Sequence, residues 1–562
     1  VSLKLPSRHL ADWALEVVDE CRQSAESRRD LLKMWRSYYY TGTSEGQTAT
    51  YNRCYPHIER LGAFLFSPTD VRFEIDFDEM ETEDVHAMGH AAGRRLNRDF
   101  HRRSLDLDFA AAVNGGLVDG CNLIKLLWGH DGLESWVVKP QFFGVLREDI
   151  EDLDRQEAFV HSTYLTTTAF ERTIIDHPEK KEIMEGIKQA SMSQKEKDEF
   201  EDDYFHQIIV GGTQPVSTTT SSGSGMVGIT GVPTPTLDAK VAASLIRIDE
   251  LWVQDQERQD YTTIRLVRPN ILIEGKYKRR NLCGLTDSQG KDADMAGHHP
   301  FTKVCPNAVE GYFWGQSEIS NIYKLQDSLN DQMRTIRRLT TLRGDPPRSA
   351  TGFSGMTLEK YKAFKRPGGF VSEENPTAKM TEHIPELPPE LFSYLDKTIQ
   401  MFDDVAGFTP VLQGQGEQGV RSQSQASTLA RNASPRMRDR SLLVERQCTE
   451  FGDFALKMLQ AKDAEVFDTE QKTKFVLSQL PDDARVTVDS HTSSPVYKED
   501  SERLAFALHK SGAIDAEDLI MLTHPIHQDR LRSRAKARAE AQAKMVAEHP
   551  ELAFPKGKGS KK

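Results

Sequence analysis

A chain of 562 residues is long enough to bury a large core and to hold several structural units. Its 38% hydrophobic and 28% charged residues describe a folded chain with much exposed polar surface. A formal charge of -13 speaks against a protein that grips nucleic acid by bulk attraction, though not against one past which nucleic acid slides.

The opening VSLKLPSRHLADWALEVVDE lacks the apolar core and small-residue cleavage site of a secretory signal. No run approaches the roughly 18 apolar residues that a spanning helix needs, so cytoplasmic synthesis without a membrane is the expectation. The first long element is helical: Leu10, Trp13, Val17, Cys21, Leu31, Met34 and Tyr38 recur at spacings of three and four until TGTSEGQTAT stops them. A second helix is expected over 52 to 66, ended by Pro68. VRFEIDF (71 to 77) alternates as a strand does, and 80 to 118 reads as helix with acidic residues at its start. From 121 to 170 the period changes to two, which predicts an antiparallel sheet. A charged helix near 178 to 206 precedes a Gly/Ser/Thr-rich exposed loop at 207 to 236. Strands resume in SLIRIDELWVQD, YTTIRLVRP and ILIEGKY.

The stretch 317 to 343 carries the clearest helical face, through Ile319, Ile322, Leu325, Leu329, Met333, Ile336 and Leu339. Ser317 supplies its start, and Gly344 with Pro346 and Pro347 its stop. A Pro/Gly-rich insert follows, and then Leu391, Leu395, Ile399, Phe402 and Ala406 form a further face that Gly407 ends. Beyond a loop, 421 to 462 reads as a long helix in which Pro435 predicts a kink. KFVLSQL and ARVTVDS read as strands, and the segment 501 to 548 as helix before the basic ending KGKGSKK.

Catalytic signals are weak. Cys283, His298, His299 and Cys305 include metal-ligating types, but they lack the paired spacing of a zinc site. The six cysteines (Cys21, Cys54, Cys121, Cys283, Cys305, Cys448) are scattered, as reduced thiols are. SGSGMVGITG (222 to 231) has no following Lys-Ser/Thr and so does not cradle phosphate. The acidic runs at Asp149, Glu151, Asp152, Asp154 and at 198 to 203 read as solvated faces.

Four stretches carry a resemblance. GYFWGQSEISNIYKLQDSLNDQM resembles the entry to the first stem helix of the tailed-bacteriophage portal proteins, the head-to-tail connectors. RGDPPRSATG through HIPELPPE stands at the position of their clip, and ELFSYLDKTIQMFDDVAGFTPVLQG resembles the second stem helix running into the tunnel loop. VRSQSQASTLARNASPRMRDRSLLVERQ resembles the long kinked helix behind that loop. The resemblance implies an α+β portal fold that assembles as a ring. Its parts are an N-terminal helical region and wing (1 to 316), first stem helix (317 to 343), clip (344 to 388), second stem helix (389 to 406), tunnel loop (407 to 420), long helix (421 to 462), wing return strands (463 to 500) and a helical crown with basic tail (501 to 562).

In such a ring of about twelve subunits the stem helices pack antiparallel, each subunit against its neighbour. Ile322, Leu325, Leu329, Met333, Ile336, Leu395, Ile399 and Phe402 are the expected stem-packing residues. Gly414, Gln415, Gly416, Glu417, Gln418, Gly419 and Arg421 are the expected tunnel loop, pliable and nearly neutral, where strong cations would drag on a passing duplex. The implied role is structural: a channel for double-stranded DNA at one capsid vertex of the virion, without sequence reading, catalysis, cofactor or metal. The implied partners are the terminase large subunit, head–tail adaptor or tail proteins, and the major capsid and scaffold proteins. Two alternatives stand beside it: another virion ring or tail adaptor protein, and a metal-dependent enzyme acting on nucleic acid.

Overall fold

The computed structural model describes residues 10–44, 51–68, 71–77, 83–129, 132–174, 180–189, 245–254, 261–267, 271–274, 299–344, 348–351, 379–382, 386–407, 435–462, 464–467, 474–481, 484–488 and 504–523, with isolated positions at 346, 377, 531, 534, 535, 537 and 538. These residues form a mixed α+β fold with antiparallel sheets.

The first helical stretch is two helices, α1 (Leu10–Ser27) and α2 (Arg29–Thr41), where the periodicity predicts one. Arg28 breaks them. Its side chain is buried, donating from Nη2 to the Asp119 carbonyl at 2.9 Å and lying over the Trp314 ring, so it points inward where a continuous helix would carry it past. Next come α3 (Cys54–Leu65) and β1 (Phe73–Asp76). The helix expected over 80 to 118 is also split, into α4 (Glu83–Arg102) and α5 (Leu105–Asp119). Ser104 turns the chain with φ 59, a left-handed conformation rare outside glycine. That turn sends α5 back into the core, where Leu105, Phe109, Ala112, Val113 and Leu117 are buried.

The strands of 121 to 170 do not share one sheet. β2 (Asn122–Gly129) and β3 (Gly132–Val138) form a hairpin in a three-stranded sheet, completed by β9 (Phe301–Val304) in the order β3-β2-β9. β4 (Phe143–Val145) and β5 (Ala158–Thr166) belong to a five-stranded sheet with β6 (Leu245–Gln254), β7 (Tyr261–Val267) and β8 (Ile271–Glu274). Short helices α6 (Thr167–Thr173) and α7 (Lys180–Gln189) follow β5, while 190 to 206 and the loop 207 to 236 lie outside the described residues. A seam of aromatic rings joins the two sheets, with Phe143, Phe159, Trp252, Phe301, Phe313 and Trp314 all buried. Through the same seam Lys125 Nζ reaches Glu250 Oε2 at 2.5 Å, and Glu250 stands between His161 on β5 and Arg265 on β7. Burial opposes ionisation of Glu250, but Lys125 and its other cationic and hydrogen-bonding neighbours outweigh it and hold the carboxyl well below its ordinary range.

The excursion that follows β9 contains α8 (Ile319–Gly344), β10 (Arg348–Thr351), β11 (Lys379–Glu382) and α9 (Glu390–Ala406). The chain re-enters the body through α10 (Pro435–Ala461), β12 (Glu465–Phe467), β13 (Lys474–Val476) and β14 (Arg485–Val488). Pro435 is the first described residue of α10, and both the kink and the arm 421 to 434 lie outside the described residues. β14 pairs antiparallel with β1, from Phe73↔Val488 to Asp76↔Arg485, tying the late chain to its early part. α2 to α5, α10 and the foot of α8 share the largest core. After a helical turn region at 504 to 511, α11 (Ala516–Thr523) is the last named element.

Candidate functional site

The excursion is built as a nested hairpin. β10 pairs with β11 antiparallel, Arg348↔Glu382 through Thr351↔Lys379, and the helices that lead into and out of them lie side by side. Gln332 Nε2 on α8 donates to Thr398 Oγ1 on α9 at 2.8 Å. Nearer the body, Gln326 on α8 and Asp403 on α9 both meet Arg53, so rising numbers on one helix face falling numbers on the other. The pair is antiparallel.

Its foot is fastened by polar groups that sequence periodicity does not single out. Gln326 accepts from the Arg53 amide at 3.0 Å and donates to the Tyr51 carbonyl at 2.9 Å and Asn330 Oδ1 at 3.0 Å. Asn330 donates in turn to the Gly42 carbonyl at 2.7 Å. The Arg53 guanidinium binds Asp403 Oδ1 at 2.7 Å and lies over the Phe402 ring at 5.2 Å, holding α9 against the start of α3. Tyr38 donates to both Asp327 oxygens (2.9 and 2.8 Å), and burial with that bond raises its hydroxyl to about 12. Buried amides and ions of this kind stay inside only when paired, so they fix the hairpin in one setting.

The start of α8 is held in the same way. Ser317 Oγ caps the helix, accepting from the Ile319 amide at 3.1 Å while donating to the Val118 carbonyl at 2.5 Å. Glu318 beside it is wholly buried. Its Oε2 receives Arg440 Nη2 of α10 at 2.7 Å and Asn307 Nδ2 at 3.2 Å, and His57 Nε2 of α3 lies 3.6 Å from Oε1. Burial would raise this carboxyl, but His57 and Arg440 outweigh it and bring it down to about 2.

The expected stem residues divide by exposure. Ile322, Leu329 and Phe402 are buried, and Leu325, Met333, Ile336, Leu395 and Ile399 are half-buried. They are covered by the hairpin's own partner helix and by the body of the same chain, so the single chain already accounts for part of the seam assigned to a neighbour. What it leaves open is a flank of α9. Tyr394 (55% exposed), Met401 (46%) and Val405 (40%) stand at helical spacings of seven and four, an apolar stripe left partly exposed among the described residues. On the same flank lie exposed Glu390, Lys397 and Asp404, with Asp396 on the opposite side of the helix, while the outer half of α8 exposes Arg334, Arg337, Arg338 and Arg343. The stripe is missed in the sequence because Tyr394, Met401 and Val405 border the covered line Leu395, Thr398, Phe402 and Ala406 and merge with it into one broad apolar face.

Gly407 ends α9 with φ 73, and its amide bonds back to the Asp403 and Asp404 carbonyls. Gly414, Gln415, Gly416, Glu417, Gln418, Gly419 and Arg421 all lie outside the described residues, as do Cys283 and His298. The two remaining members of the weak zinc set are engaged elsewhere: His299 Nε2 stands 2.8 Å from Asp154 Oδ1, and Cys305 Sγ lies 3.3 Å from the Gly120 carbonyl. Among the described residues no group of three or more His, Cys, Asp or Glu is placed to hold a metal ion, and no helix is long and apolar enough to cross a membrane. No protein-family model matches the chain, and no curated protein matches it.

Proposed function

We propose that this chain is the subunit of a portal ring, the channel for double-stranded DNA at one vertex of a virus head. The observation that carries the reading is the hairpin of α8 and α9: rooted by ion pairs and hydrogen bonds to the body, tipped by the β10–β11 ladder, and partly exposed along the apolar stripe of Tyr394, Met401 and Val405. A partly exposed stripe on an otherwise anchored element fits burial against another chain. Arginines on the outer half of α8 and exposed Glu390 and Asp404 on α9, which flank Lys397, supply opposite charges for a head-to-tail contact with a neighbour. Head-to-tail contacts of one surface with a different one generate closed rings when the rotation closes.

In the ring, α8 and α9 form the stem. The tunnel loop leaves α9 at the Gly407 cap towards the axis, and 344 to 388 forms the clip that receives the terminase large subunit and later the adaptor or tail proteins. The helical crown and basic tail of 501 to 562 lie on the capsid side. The protein conveys DNA and docks its partners, and the hydrolysis that drives packaging belongs to the terminase. Negative-stain averages of the purified chain test this directly. The expected image is a ring of about twelve subunits with an open axis, and uniform monomers or dimers across salt and concentration would overturn it.

A further inference from the structure

Two thiols meet where β2 and β9 run out. The ladder pairs Asn122 with Val304, and one more step sets Cys121 opposite Cys305. The Leu126 amide bonds the Pro300 carbonyl at 2.8 Å, which makes even-numbered positions of β2 the hydrogen-bonded ones. Cys121 and Cys305 therefore take a non-hydrogen-bonded position, where Cα atoms stand about 4.5 Å apart. That lies within the roughly 4.4–6.8 Å that a disulfide bridges. The backbone of Cys305 is held from the other side, its amide and carbonyl both bonded to the Gln447 side chain of α10 at 3.0 and 3.2 Å. Both cysteines are free thiols in this structure, and both are buried.

The pair is unlike the other described cysteines. Cys21, Cys54 and Cys448 are buried thiols whose pKa values burial raises, and such thiols are inert. Cys121 and Cys305 instead lie together in one buried cluster, Cys305 Sγ 3.3 Å from the Gly120 carbonyl and Cys121 Sγ 3.5 Å from the Asn122 carbonyl. The neighbouring Cys121 thiol, with Lys303 and Arg28, lowers Cys305 against its burial, while burial pushes Cys121 up. Cys305 also borders a cavity of about 590 Å³, which Gln447, His299, Lys303, Arg446 and Glu450 line with it.

We propose that Cys121 and Cys305 form a redox site at which a small hydroperoxide closes an intrachain disulfide, stapling the end of α5 to the segment that leads into α8. The Cys305 thiolate attacks one peroxide oxygen, the O–O bond breaks, and hydroxide leaves a sulfenic acid on Cys305. The Cys121 sulfur then attacks that sulfur. The S–S bond forms, the S–O bond breaks, and the hydroxyl departs as water with the Cys121 proton. With hydrogen peroxide, two thiols lose two electrons and two protons and one peroxide becomes two waters. The bond is independent of the ring reading, and only its timing rests on that reading: thiols kept reduced in a cytosol are closed once the particle is outside it.

Peptide mapping without reductant tests the proposal on the full chain, treated with hydrogen peroxide from the reduced state. The expected result is one crosslinked pair containing Cys121 and Cys305, with the free-thiol titre lower by two per chain and restored by reductant. In Cys121→Ser, Cys305 should remain as a sulfenic acid that a dimedone probe captures, and Cys305→Ser should give neither link nor adduct. Wild-type mapping decides the matter even if a variant does not fold. An undiminished thiol titre in the folded protein, or Cys305 oxidised to sulfinic acid without the link, would overturn the proposal. Either result leaves the ring images unaffected, so the two readings fail separately.

Discussion

At the residue scale, Glu318 connects α3, α8 and α10 through one carboxylate, and its ionisation makes the junction sensitive to acid. Its ordinary value of 4.5 describes the unfolded chain, while in the fold it is about 2. The folded value is the lower one, so the stabilisation is fully present above about pH 4.5 and is lost as pH falls towards about 2. The difference is on the order of 3 kcal/mol. Denaturant unfolding of the wild type should therefore weaken more steeply between about pH 5 and pH 2 than that of Glu318→Gln, which does not titrate there. Parallel pH profiles would contradict the assignment. At neutral pH the variant should be the less stable protein, because Arg440 then stays buried without its anion. Arg53 acts similarly on α9. Arg53→Ala removes the ion pair to Asp403 and the ring contact with Phe402, and hydrogen exchange should quicken in α9 while α4 and α5 stay protected.

At the element scale, the α8–α9 hairpin separates what holds a single chain from what is left for a neighbour. Leu329 is buried within its own chain, so Leu329→Ala should destabilise the monomer by about 2–4 kcal/mol, read as a lower denaturation midpoint. An unchanged midpoint would place that side chain in a contact between subunits instead. The run of α8 is legible in the sequence because Ile322, Leu325, Leu329, Met333 and Ile336 keep one face with Ser317 before and Gly344 after it. The breaks at Arg28 and Ser104 are not. Each depends on a distant partner or an unusual φ: Arg28 on the Asp119 carbonyl and the Trp314 ring, Ser104 on a left-handed turn that periodicity does not encode. The division of 121 to 170 between two sheets is hidden for a related reason. Alternation reports which face of a strand is buried and says nothing of which strand lies beside it, so β9, far along the chain, displaces β4 and β5 from the sheet of β2.

At the scale of the whole molecule, the described residues form a body to which the α8–α9 hairpin is anchored with an apolar flank of α9 partly exposed. The anchors are Gln326, Asn330, Arg53 and Glu318, which reach partners more than a hundred positions away, and no local pattern in the sequence reveals those bonds. The segment proposed as the tunnel loop is legible only as composition, Gly and Gln between two helical faces, and lies outside the described residues. Deleting 414 to 419 leaves every one of those anchors in place, so rings should still form, while particles should lose packaged DNA faster over a fixed interval. Full retention would remove the loop from the constriction. The central claim is that the partly exposed flank of α9 is the seam between subunits, and mass photometry of the wild type beside Met401→Asp tests it most directly. Met401 is 46% exposed in the single chain, so the variant should keep the wild-type circular dichroism and melting temperature. The account predicts one species of about twelve chain masses for the wild type and free monomers for Met401→Asp. Equal mass distributions for the two proteins, whether both ring or both monomer, would contradict it.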